Sequence, residues 1–128
     1  MLALLLAAAI ADKACANPSI VSANVASVTV NGTLKHLTVA ISVSNLGVVR
    51  QPSNLLQSLD VLQDDERVGR VGLQPLRPKQ TQRVTYAFDR SADAGDGTTS
   101  LTFLLDFNGR SGKDVTCHGG NESMTISI

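Results

Sequence analysis

The residues best suited to chemistry lie near the end of the chain, in "DVTCHGGNESMTISI" (Asp114 to Ile128), where Cys117 stands beside His118. A thiolate nucleophile needs a base within hydrogen-bond reach and a third group to orient that base. Neighbours along an extended chain point to opposite faces. His118 is therefore poorly placed to serve Cys117, and the base would have to be His36, far away in sequence. A structural zinc site takes about four ligands, and Cys117 with His36 and His118 falls short of that. The pair predicts no catalysis and no bound metal. Two readings of Cys117 stay open: an inert, partly buried thiol, or an exposed loop thiol that links two copies into a Cys117-bonded dimer.

The carboxylates are the next candidates. Asp89, Asp93 and Asp96 lie in "DRSADAGDG", and Asp64, Asp65 and Glu66 lie in "QDDER". A calcium loop needs oxygen ligands at alternate positions closed by a bidentate carboxylate, and neither spacing supplies it. Asp and Gly are turn residues for backbone reasons, so both stretches read as solvated turns. Asp60 and Asp106 are the acids placed within strand-like runs. Glycoside hydrolysis would want two carboxylates about 5 to 10 Å apart across a cleft, and nothing frames a cleft around these. No G-x-S-x-G, H-E-x-x-H or phosphate-loop pattern occurs. Lys35 and Lys113 are the lysines to test for an internal isopeptide bond to asparagine. Asn31-Gly32-Thr33 and Asn121-Glu122-Ser123 are formal glycosylation sequons.

Composition narrows the class. The chain has 128 residues, which suits one domain, and its 11 Lys and Arg balance its 11 Asp and Glu. A nucleic-acid binder shows a clustered basic excess, so that class is excluded. One Tyr, three Phe and no Trp leave few aromatic faces for stacking on sugars or bases. The core must be built from Val, Leu and Ile.

The first residues read as a secretory signal. "LALLLAAAIA" (Leu2 to Ala11) is apolar, and "ACA" (Ala14 to Ala16) offers the small-x-small pattern of a cleavage site, with Pro18 shortly after. Ten residues rise about 15 Å as a helix, too short to cross roughly 30 Å of hydrocarbon. No Lys or Arg precedes the run, an irregularity for a signal. The expectation is a signal peptide over 1–16, a mature domain over 17–128, no membrane span, and a secreted or periplasmic location. Such a cut removes Cys15 and leaves Cys117 without a disulfide partner.

From Asn17 onward the two-residue period of strands dominates. In "LTVAISV", Leu37, Val39, Ile41 and Val43 point one way, and Thr38, Ala40 and Ser42 the other. Ile20 to Val30 reads as an edge strand kinked near Ala23 and Asn24, and Asn31-Gly32 signals a hairpin. Further strands are predicted over Leu55 to Gln63 (apolar on both parities, as in a more buried strand or one with a bulge), Arg67 to Leu73, Gln82 to Phe88, Leu101 to Phe107 and Ser123 to Ile128. About seven strands and no helix predict an all-β, immunoglobulin-like antiparallel β-sandwich, with a small closed barrel as the alternative.

The order of features resembles CARDB domains, the cell-adhesion-related domains of bacteria and archaea. Val43, Asn45 and Gly47 match the family's V-x-N-x-G, and Val68 and Gly69 its V-G segment. Leu76, Pro78 and Lys79 match L-x-P-G, except that Lys79 stands where glycine is usual. Leu104, Leu105 and Asp106 match L-x-V-x-V-D, and Asn121 with Glu122 part of the terminal Asn-rich element. The stretch from Lys113 to Gly120 departs from the family's acidic ending. The resemblance implies an immunoglobulin-like sandwich without catalysis, and the residues themselves predict no cofactor and no metal. It implies a binding or adhesion-type module meeting a protein or a cell-envelope polymer. The alternative is an accessory module for a small ligand or carbohydrate. A strand edge is a further way to meet a partner, and Ile20 to Val30 and Ser123 to Ile128 are the expected edges.

Overall fold

A computed structural model describes residues 14–91, 99–107, 117 and 120–128. Seven strands follow in chain order: β1 (Pro18–Asn31), β2 (Leu34–Asn45), β3 (Gln57–Gln63), β4 (Glu66–Leu73), β5 (Thr81–Ser91), β6 (Ser100–Phe107) and β7 (Ser123–Ser127). They form two antiparallel sheets, one in the order β1-β2-β5 and the other β4-β3-β6-β7. This is a β-sandwich.

The period-two pattern sets the inner faces. Val39, Ile41 and Val43 of β2 are fully buried against Leu59 and Val61 of β3 and Leu101 and Phe103 of β6. Met124, Ile126 and Ile128 pack against this cluster from the last strand. Residues directly opposite each other in paired strands share a face. The inner set of β2 thus carries Val84, Tyr86 and Phe88 of β5 inward with it.

Tight turns fix the pairing. Gly32 has φ 63° and joins β1 to β2 through a two-residue loop with Thr33, one position later than the Asn-Gly signal suggested. Asp64 and Asp65 have φ 50° and 70°, the two positive values of a type I′ hairpin. That hairpin lays β4 beside β3, so the fourth strand joins the second sheet. In immunoglobulin constant domains it completes the first.

Irregularities fall where the sequence breaks its alternation. The β1–β2 register shifts between Ile20 and Ser22 and again between Val25 and Ser27, on either side of the predicted kink. The β3–β4 register shifts between Val61 and Leu62, which puts Val68 in a bulge. Next to it, Gly69 faces inward. A Cβ there would come within 2.8 Å of the Tyr86 ring, so the family's V-G segment makes room for a tyrosine reaching across from the other sheet.

Candidate functional site

Two buried polar clusters and one row of surface ion pairs account for most of the residues with chemical potential. The first cluster lies at the end of the sandwich where β2 stops. Asn45 is fully buried, so both ends of its amide must find partners. Its Oδ1 accepts from the backbone N–H of Asn17 at 2.9 Å and of Gly47 at 3.0 Å. Its Nδ2 donates to the carbonyls of Val49 at 2.9 Å and Leu76 at 3.1 Å. One side chain thereby ties the N-terminal segment, the segment after β2 and the loop before β5. This is the physical content of V-x-N-x-G: Val43 fills the core, Asn45 is the tie, and Gly47 is the place of closest approach. A Cβ on residue 47 would lie 2.1 Å from the Cys15 carbonyl oxygen.

That approach brings Cys15 and Cys117 together. They form a disulfide with Cα atoms 5.6 Å apart and a sequence separation of 102. Around it, Val48 and Val49 donate their N–H groups to the Cys15 carbonyl, Leu46 N–H donates to Asn17, and Cys117 N–H donates to Ala16 at 2.6 Å. Cys15 and Ala16 are buried. The expectation that Cys117 stands unpaired, and with it the Cys117-linked dimer, is corrected: the thiol is consumed within the chain. The misreading has a local cause, because Ala14-Cys15-Ala16 carries a cleavage-like pattern while its partner lies over a hundred residues away. A cut after Ala16 would remove half of this disulfide.

The second cluster lies beside the first. Gln51 and Gln57 exchange two amide hydrogen bonds, each 2.9 Å. Gln57 also donates to the Gln74 carbonyl at 2.8 Å, and Gln51 Oε1 accepts from Leu76 N–H at 2.8 Å. Together these pairs pin the segment entering β3 to the segment leaving β4 and anchor Leu76 in the core. Lys79 occupies the position usually held by glycine with φ 65°, the left-handed conformation glycine adopts freely. Its N–H donates to the Asn45 carbonyl at 2.7 Å and its Nζ to the Leu46 carbonyl at 3.0 Å. The departure from the family pattern thus retains the backbone shape and adds one side-chain bond.

On the outer face of the second sheet, the strand acids meet an arginine. Arg70 of β4 donates to Asp60 of β3 at 2.8 Å and to Asp106 of β6 at 3.2 Å. The Asp60 hydrogen bond, helped by the charge of both acids, holds the Arg70 pKa above its ordinary value. Asp60 and Asp106 are therefore neighbours, as a carboxylate pair would need to be, but a fixed cation spans them. Ser58 shares this face, and its buried Oγ has no hydrogen-bond partner among the described residues.

The remaining candidates separate. His36 Nδ1 pairs with Asp89 Oδ1 across β2 and β5 on an exposed face. Asn45 lies nine residue steps along β2 from His36, about 30 Å at the rise of a strand. His36 is thus remote from the disulfide and cannot serve it. Asp64 and Asp65 are the hairpin residues described above, and Asp64 N–H donates to the Ser100 carbonyl at 3.1 Å. Lys35 lies in β2 between Val30 and Arg90. Asn31 sits at a hairpin, and Asn121 accepts from Ile20 N–H at 2.8 Å and donates to Ser19 Oγ at 2.9 Å. His118, Asp93, Asp96 and Lys113 lie outside the described residues. Among the described residues, no group of three or more His, Cys, Asp or Glu is gathered to hold a metal ion, and no helix is long and apolar enough to cross a membrane.

Comparison with known proteins rests on structure. No family model and no curated protein matches the sequence. The CARDB domain of a Pyrococcus furiosus protein, crystallised in complex with di-metal ions, is similar with a TM-score of 0.63 at 14% identity, over 89% of this chain and 92% of that one. A β-glucosidase from Kluyveromyces marxianus in complex with glucose aligns with a TM-score of 0.33 at 10% identity, over 84% of this chain and 14% of that one, a likeness too slight to bear on fold. This chain has the fold of a CARDB domain.

Proposed function

We propose that the domain is a non-catalytic binding module of the adhesion type, exported from the cytoplasm, that meets a protein or a cell-envelope polymer along the edge of β1 beyond Ile20. The observation that carries this reading is the edge itself. Over its 14 residues β1 has no Asp, Glu, Lys or Arg, and among the described residues it pairs with β2 alone. Its distal half exposes Val28 and Val30; Val30 is 62% exposed. Sheet edges are ordinarily blunted with charge, proline or bulges. This one has bulges but no charge, which suits main-chain pairing with an extended partner.

Two further features support the reading. Disulfides persist in oxidising compartments, which agrees with export. The aromatic residues argue against a sugar-stacking platform. Phe103 is fully buried, while Tyr86 and Phe88 stack on each other at 6.4 Å and pack against the core. Arg70 spans Asp60 and Asp106, so these two strand acids are already engaged in ion pairs.

The test is retention of envelope components by the immobilised domain, with and without calcium and reductant, compared with a V28K/V30K variant. Both valines are exposed, so the variant keeps its fold. The reading expects a retained protein or polymer that the variant loses. Retention of nothing, together with turnover of a model substrate, contradicts it.

A further inference from the structure

We infer that processing of the exported chain occurs before Cys15, at the Ala11–Asp12 bond, so that the mature domain retains residues 12–16 and closes its N-terminal strap with the Cys15–Cys117 disulfide. The inference rests on the export reading and adds where the chain is cut.

Four observations place residues 15–17 inside the fold. Cys15 is bonded to Cys117. Its carbonyl accepts from two successive backbone N–H groups, Val48 and Val49. Ala16 is fully buried, and its carbonyl accepts from Cys117 N–H at 2.6 Å. Residue 47 has no room for a side chain because the Cys15 carbonyl occupies that volume. Removing residues 1–16 would strip these partners from Val48, Val49 and Cys117, expose a cavity beside Gly47, and begin the chain at Asn17, whose N–H is bonded to Asn45. A domain that bonds residues 15 and 16 into its interior is not completed by a chain that starts at residue 17.

The sequence supplies an earlier place to cut. Ala9-Ile10-Ala11 has the same small-x-small pattern as Ala14-Cys15-Ala16, and the apolar run from Leu2 to Ala8 in front of it has the length of a signal core. Hydrolysis there adds one water across the Ala11–Asp12 amide, leaving a carboxylate on Ala11 and a free amine on Asp12. Ala14 is exposed, so the fold does not constrain it, and its role as a cleavage determinant is separable from its place in the domain.

The experiment is N-terminal sequencing, intact mass and thiol titration of the exported protein, purified without reductant, with Ala11→Leu and Ala14→Leu variants alongside. The expected result is an amino terminus at Asp12 and no titratable thiol. Ala11→Leu then accumulates as uncut precursor, while Ala14→Leu is processed like the parent. An exported protein beginning at Asn17 with one titratable thiol overturns the inference and leaves export intact. Full-length protein confined to the cytoplasm overturns the export reading and this inference with it.

Discussion

The carbonyl oxygen of Cys15 occupies the space that a side chain on residue 47 would need, 2.1 Å from where its Cβ would stand. Gly47 is thus fixed by contact with a segment 32 residues earlier, rather than by its own backbone angles. Gly47→Ala must push that segment away, straining the disulfide and the Asn45 hydrogen bonds together. Overpacking of this kind costs about 1–3 kcal/mol, and the upper end is expected here because the obstructing atom is backbone. Urea unfolding of the two proteins measures it.

Asn45 concentrates four hydrogen bonds in a site without water access. Asn45→Ala leaves two carbonyls and two N–H groups to find new partners. Each buried group left unsatisfied costs about 1–3 kcal/mol, so a loss of at least about 3 kcal/mol is expected. Asn45→Asp should not restore it, since a carboxylate can only accept while Val49 and Leu76 present carbonyls. Equal stability of the Asp variant and the parent at neutral pH would contradict this account of the tie.

Lys79 and Asp65 both hold left-handed backbone at φ 65° and 70°. Glycine relieves that strain, by about 1 kcal/mol for a non-glycine residue in this region. Asp65→Gly should therefore stabilise the domain by up to about 1 kcal/mol. Lys79→Gly should gain less, because it gives up the bond from Nζ to the Leu46 carbonyl. Thermal unfolding of both variants orders them.

Arg70 and its two acids lie on an outer face open to solvent. Exposed pairs contribute little and are screened by salt. Arg70→Gln should lower the unfolding midpoint slightly at low ionic strength, and the difference should vanish near 1 M salt, where the Debye length is about 3 Å. A large loss that persists in salt would mean the trio holds the sheet together.

Much of the fold could be read from alternation. Leu37, Val39, Ile41 and Val43 announced β2 and its inner face because a strand's side-chain period is local. The same locality explains what was not legible. Arg70 meets Asp60 and Asp106 only because three strands from separate stretches lie in register. The amide pair of Gln51, in the loop after β2, and Gln57, at the start of β3, depends on two segments meeting at Leu76, and isolated glutamines carry no pattern that foretells this. Cys15 was obscured most thoroughly: its neighbours spell a cleavage motif, and its partners, Gly47 and Cys117, are distant in sequence. The one available signal was Gly47 in V-x-N-x-G, a glycine that no turn requires and that therefore pointed to a close neighbour.

The Cys15–Cys117 bond closes a loop of about a hundred residues. Removing a native disulfide from a small exported domain costs about 2–5 kcal/mol. Cys15→Ser, Cys117→Ser and the double variant should share one loss in that range, because each breaks the same bond. Additive losses from the two single substitutions would contradict the pairing.

Hydrogen exchange along β1 tests the binding reading most directly. In the free domain the amides of Ser22 to Asn31 that face away from β2 should exchange quickly, since the edge is open among the described residues. With the retained envelope component bound, those same amides should slow while the outer face of the second sheet is unchanged. Protection confined to the face of Asp60, Arg70 and Asp106, with β1 exchanging as before, would contradict the edge as the binding surface.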